Sequence, residues 1–118
     1  MTRFVVLTHD WPEPHFDLLV EEAGRLRAWR LLCEPQAGCD VPAAPNFPHR
    51  LVYLEYEGPL SGGRGSVSRW DVGTCVWEAD EPHRVQLSIL GTRLSGRAVI
   101  ARRGDTWFFR LTGAGQPG

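Results

Sequence analysis

The sequence predicts an all-β protein, an antiparallel barrel or sandwich of about eight short strands. Three observations lead there. The chain begins with a run of β-branched and aromatic residues, Arg3-Phe-Val-Val-Leu-Thr-His9. In its second half, Val85, Leu87 and Ile89 alternate with Gln86 and Ser88, and Trp107, Phe109 and Leu111 alternate with Phe108 and Arg110. That two-residue period is the signature of a strand with one buried face. The runs are separated by turn sequences: Asp71-Val72-Gly73, Asp80-Glu81-Pro82, a longer Gly91-to-Gly96 segment, and Gly104-Asp105.

In chain order, Arg3 to His9 is the first strand, with Val5, Leu7 and His9 on one face and Phe4, Val6 and Thr8 on the other. Pro12 and Pro14 make the next segment a stiff loop. Phe16 to Leu32 reads two ways. Phe16, Leu19, Val20, Ala23 and Leu26 fit a helical stripe, whereas Gly24 after Glu21-Glu22 fits a hairpin turn. Glu34 to Pro48, rich in Pro, Ala and Gly, is expected to be a long loop, and His49 to Glu57 a strand. Gly58 to Ser66 is glycine-rich but lacks the Gly-Lys-Ser/Thr ending of a phosphate-binding loop, so it reads as a turn. Strands then follow at Ser66–Trp70, Thr74–Trp77, Arg84–Leu90, Arg97–Arg102 and Thr106–Leu111. At 118 residues the chain has room for one domain, expected over residues 1–112, with 113–118 as a flexible tail.

Thirteen Lys and Arg against fourteen Asp and Glu give a net charge of −1, without the basic excess of a general nucleic-acid coat. A phosphate-bearing partner would have to be held locally. No apolar run is long enough to cross a bilayer and no leader is visible at Met1, so a cytoplasmic protein without membrane contact is expected. Cys33, Cys39 and Cys75 fit neither a disulfide framework nor a C-x-x-C motif and are read as reduced, semi-buried, non-nucleophilic thiols.

The chemistry concentrates near the start, in Thr8-His9-Asp10-Trp11-Pro12-Glu13-Pro14-His15-Phe16-Asp17. Two histidines and a carboxylate within nine residues have the composition of a small divalent-metal site. If His15 to Val20 is a strand, His15 and Asp17 point to one face, and the proline loop can return His9 toward them. A helix would set His15 and Asp17 on nearly opposite sides. Three protein ligands also leave coordination positions open for substrate or water. The spacing alone fits equally well with hydrogen-bonded, metal-free histidines.

Several separated motifs then carry a resemblance: Arg3-Phe-Val-Val, His9-Asp10, His15-Phe16-Asp17, Leu26-x-x-Trp29, His49-x-x-x-Tyr53, Glu57-Gly58 and Trp70-Asp71-x-Gly-Thr74. In order and spacing, from Arg3 to about Leu111, the chain resembles the 3′-phosphoesterase module of bacterial DNA ligase D, as a stand-alone homologue. The resemblance implies a compact β-barrel, and it favours the hairpin over the helix for Phe16 to Leu32. It also implies a manganese-dependent enzyme that removes 3′-terminal ribonucleotides and 3′-phosphates during non-homologous end joining. By position, His9, His15 and Asp17 match the family's metal ligands, and His49 and Tyr53 match residues that act on the scissile phosphate. The cofactor expected is Mn2+, with Zn2+ or another transition metal as alternatives; the expected partners are nucleic-acid 3′ ends, with a ligase or polymerase acting in trans.

Three departures bear on activity. Leu19 stands where the family has a phosphate-binding arginine, Leu7 where it has a glutamine, and Phe47 where it has an acidic residue. Arg30, Arg50 and Arg64 are candidate substitutes for the lost arginine. Two functions are therefore carried forward. One is a metal-dependent phosphoesterase; the other is a non-catalytic module that binds a metal or a nucleic-acid end. Trp11 is the best candidate for stacking a terminal base, and Glu13 a candidate to orient a histidine.

Overall fold

The structure, a computed structural model, describes residues 1–113. Nine strands, all antiparallel to their neighbours, account for most of it: β1 (Thr2–His9), β2 (His15–Glu22), β3 (Arg25–Leu31), β4 (Asp40–His49), β5 (Gly58–Pro59), β6 (Ser66–Glu81), β7 (Arg84–Gly91), β8 (Ser95–Arg103) and β9 (Thr106–Gly113). Their order is β1-β2-β3-β4-β9-β8-β7-β6, and β6 pairs back onto β1 to close a ring, with β5 beside β6. No helix among the described residues is long and apolar enough to cross a membrane.

Alternation on these strands sorts the apolar residues into two clusters. Phe4, Val6, Leu18, Val20, Trp29, Leu31, Leu87, Ile100 and Phe109 point into the ring and form its core. A second cluster lies outside it. There Val5, Leu7, Leu19, Leu26 and Ala28 on the opposite face of β1, β2 and β3 are covered by Leu54, with Tyr53, Tyr56 and Leu60 packed against them. The crossover from β4 to β6 thus drapes over the outer face of β1–β3, and β1 is buried on both sides. The functional site is built on this outer face.

The Phe16-to-Leu32 ambiguity resolves as the β2–β3 hairpin. Its two-residue turn is Ala23-Gly24, both with positive φ (51° and 81°), the turn geometry that matches the twist of a hairpin. Elsewhere the structure corrects the sequence reading. The expected loop over Glu34 to Pro48 contains β4, which carries Pro42, Pro45 and Pro48 within a strand. These prolines are tolerated because β4 changes partner: it pairs with β9 over Asp40 to Ala43 and with β3 from Ala43 onward, so each proline has at least one side free of a strand pairing. His49 to Glu57 is not a strand. After His49 the chain turns through a short 3₁₀ segment, Leu51–Leu54, which buries Leu54 and leaves Leu51 and Val52 exposed.

The expected turn at Asp71-Val72-Gly73 is instead the middle of one long strand, β6, which replaces the two strands expected there. Its turn-forming residues serve other ends. The buried Asp71 carboxylate accepts hydrogen bonds from the backbone N–H groups of Val72, Thr92, Arg93 and Leu94 at 2.8–3.0 Å and so shapes the β7–β8 turn. Gly73 pairs with Gly91, and a β-carbon at position 73 would lie 2.1 Å from the Leu90 carbonyl oxygen. Of the expected tail, Gly113 is the last residue of β9, and residues 114–118 lie outside the described residues.

All three cysteines are free thiols, but the expected partial burial fails for two of them: Cys33 and Cys39 lie outside the core and are exposed, whereas Cys75 is buried against it. Burial, with Glu21 nearby, pushes the Cys75 thiol up to about 11. At pH 8 it is therefore protonated as well as shielded, and a thiol-specific reagent is expected to label two cysteines of the folded protein and the third only in denaturant. Rapid labelling of all three in native buffer would contradict this burial.

Candidate metal centre

The site is assembled by the first hairpin. β1 and β2 pair so that His9 lies opposite His15 and Leu7 opposite Asp17. Cross-strand partners share a face, so His9, His15 and Asp17 all project from the outer face of the sheet. One candidate ligand atom from each lies within 4.8 Å of the others. His15 and Asp17 are buried and His9 nearly so. A pocket of about 300 Å³ at this end of the hairpin includes His9 and His15 in its lining, with Thr8, Phe16 and Ser68 from the neighbouring register positions, and does not include Asp17.

The hydrogen bonds decide which ring nitrogens are available. His15 Nδ1 is 2.8 Å from the Glu13 carbonyl oxygen, and His9 Nε2 is 2.9 Å from the Arg64 carbonyl oxygen. A carbonyl only accepts, so each of these nitrogens carries the proton. The lone pairs are then on His15 Nε2 and His9 Nδ1, and both face the Asp17 carboxylate. His15 Nε2 is 3.2 Å from Oδ1 and His9 Nδ1 is 3.3 Å from Oδ2. Lone pairs aimed at a carboxylate repel it unless positive charge lies between them. Additional protons on both rings or one shared cation would supply that charge, and a single divalent ion satisfies all three groups at once. The donor set therefore fits a first-row divalent metal of the Mn2+ or Zn2+ type, with the two backbone carbonyls fixing the rings from behind.

A close approach of two loops holds this arrangement. The Asp10 carboxylate accepts the backbone N–H of Ser66 at 2.8 Å, next to the Arg64 carbonyl that bonds His9. Gly65, at φ 75°, lies between them, and a β-carbon there would meet Asp10 Oδ1 at 2.1 Å and Trp11 Cβ at 2.7 Å. The glycine-rich segment read as a turn is thus the support of His9. Trp11, about 43% exposed, stands at the rim beside it.

His49 and Tyr53 occupy the same outer face but a different part of it. His49 pairs with Leu26, which pairs with Glu21, so His49 lies two strands over from β2 and roughly 13 Å along it from Asp17. Leu19, Leu26 and Ala28 form the apolar floor between. The two rings pack edge to face at 5.9 Å, and His49 also stacks on the exposed Phe47 at 5.4 Å. His49 Nδ1 donates to the Phe47 carbonyl, and among the described residues Nε2 and the Tyr53 hydroxyl have no hydrogen-bond partner. The structure brings His9, His15 and Asp17 together as one group and His49 with Tyr53 as another.

Leu19 is fully buried in the outer cluster, so an arginine there would displace apolar packing rather than simply fill a gap. Glu13 orients His15 through its backbone carbonyl, not its carboxylate. The expected orienting role of Glu13 is thus met through its main chain, as is the matching role of Arg64, which leaves no signal in the sequence because a backbone carbonyl is independent of side-chain type.

No protein-family model matches the chain. Curated proteins do. It is 34% identical over 88% of its length to the multifunctional non-homologous end joining protein LigD of Mycobacterium bovis, and to the same degree to the LigD DNA repair protein of Mycobacterium tuberculosis. The chain is a homologue of one segment of LigD. The LigD of Pseudomonas aeruginosa, 30% identical over 86% of the chain, extends the relationship to a second genus. The chain spans only 13–15% of these LigD proteins, so it corresponds to one part of a multifunctional polypeptide.

Proposed function

We propose that this chain is a divalent-metal-dependent phosphoesterase that acts on nucleic-acid 3′ ends in DNA repair. The observation that carries the proposal is the pair of histidines whose N–H groups are tied to backbone carbonyls while their lone pairs converge on Asp17. Relatives named for non-homologous end joining support nucleic-acid ends as the substrate class. A ligase or polymerase would then act on the same ends in trans. When bound, the ion, Mn2+ by preference, supplies charge neutralisation at phosphoryl oxygens and an acidified water. His9, His15 and Asp17 hold it. His49 Nε2 and the Tyr53 hydroxyl are free to hydrogen-bond substrate oxygens, where charge builds as the ester breaks. Trp11, exposed at the rim, offers a face to a terminal base.

The burial of Leu19 favours a second reading, a module that binds a metal and a nucleic-acid end without turnover. One assay separates them. A DNA primer ending in a 3′-ribonucleotide or 3′-phosphate is incubated with Mn2+ and either wild-type protein or His9→Ala. The phosphoesterase reading expects metal-dependent release of nucleoside or phosphate that His9→Ala abolishes. Metal-dependent binding of the primer with no release would establish the second reading instead.

A further inference from the structure

We infer that Arg30 is the anion-binding residue of this site, the group that holds phosphoryl oxygens in place of the arginine missing at position 19. The inference rests on the phosphoester reading above. Arg30 on β3 pairs directly with Asp17 on β2. Direct cross-strand partners carry their β-carbons on one face about 5 Å apart, which puts the stem of Arg30 beside a candidate metal ligand. Its own strand agrees: Trp29 and Leu31 turn into the ring, while Leu26 and Ala28 join the outer cluster.

The other basic residues are accounted for. All thirteen are arginines. Most engage a carboxylate, a polar group or an aromatic ring, and Arg64 is folded onto Ser61, which removes it as a substitute. Among the described residues, the side chains of Arg25, Arg30, Arg50 and Arg69 have no such partner. Arg25, Arg50 and Arg69 are exposed, and Arg50 lies beyond His49 at the far end of the face. Arg30 alone is half-buried. On its other side β4 offers Ala44, which carries no charge.

A guanidinium without a partner beside a cation-binding carboxylate weakens the site for a bare metal ion, because the two positive charges repel. The arrangement becomes favourable when an anion bridges the cation and the guanidinium. A phosphate does so well, because the planar fork of arginine matches two phosphoryl oxygens. The donor has thus moved from β2 to β3: Leu19 and its partner Ala28 are both apolar, and the next pair on that face is Asp17 with Arg30.

The test compares wild type, Arg30→Ala and Arg30→Lys. Fluorescence anisotropy measures binding of oligonucleotides ending in 3′-phosphate or 3′-hydroxyl with Mn2+ present, and calorimetry measures Mn2+ alone. For Arg30→Ala, affinity for the 3′-phosphate end is expected to fall about 10- to 100-fold, the loss of one charged hydrogen-bonding group, with Lys restoring part of it. Affinity for the 3′-hydroxyl end should not change, and Mn2+ should bind as well or more tightly. An Arg30→Ala protein that keeps its preference for the phosphate end overturns the inference. So does one that loses Mn2+ and phosphate affinity in parallel, since Arg30 would then merely support Asp17. If wild type binds Mn2+ yet does not distinguish the two ends, the phosphoester reading itself falls, and the role of Arg30 with it.

Discussion

Asp17→Ala is expected to abolish divalent-metal binding while leaving the fold intact. Asp17 is the one anionic member of the group and the one that both histidine lone pairs face. Loss of an outer hydrogen-bonding partner alone typically costs a metal site 10- to 100-fold in affinity, so losing the carboxylate ligand should cost more than about 100-fold. The metal-free fold should hold, because both rings stay anchored to the Glu13 and Arg64 carbonyls. Thermal unfolding reads both halves of this expectation. In EDTA the variant should melt close to the wild-type temperature. Added Mn2+ should raise the wild-type transition, by an amount equivalent to about 2.7 kcal/mol at a hundredfold excess over Kd, and leave the variant unmoved. An equal Mn2+-induced rise in both proteins would remove Asp17 from the site.

Asp71→Ala should produce the largest purely structural effect. The carboxylate is about 3% exposed and accepts four backbone N–H groups, three of them from the turn between β7 and β8. Its removal leaves the buried Leu94 N–H without a partner and unties the turn at Thr92 and Arg93. A loss of about 3–5 kcal/mol is expected, a large part of the stability of a domain this size. Asp71→Asn should cost less, since Oδ1 accepts three of the four bonds and Oδ2 only that from Leu94. Chemical denaturation gives both values, and an Asp71→Ala midpoint close to wild type would show that the turn holds without its carboxylate.

The roles of Asp71 and Gly73 explain where the sequence could be read and where it could not. Asp-x-Gly is ordinary turn chemistry, and nothing local distinguishes a turn from a strand whose Asp serves a turn twenty residues away. β4 was hidden for a similar reason. Prolines argue against a strand only when both sides of its ladder are used, and only distant pairing decides that. The second half was legible because its strands obey a two-residue period with one face in the core. The clustering of His9, His15 and Asp17 was legible because it is local: the i, i+2 spacing of His15 and Asp17 fixes their common face once the segment is a strand. Arg30 was named but could not be chosen over Arg50 or Arg64, because choosing it requires the β2–β3 register.

That locality also bears on the order in which the molecule comes together. His9, His15 and Asp17 sit on a single hairpin whose contacts are near neighbours in the chain, whereas ring closure must join Thr2 to Cys75. Short-range contacts form early in folding and long-range strand pairing late. A cation can thus meet His15 and Asp17 on a nascent hairpin, with Glu13 already in place to orient His15. His9 is fixed last, when the segment carrying the Arg64 carbonyl arrives with β6.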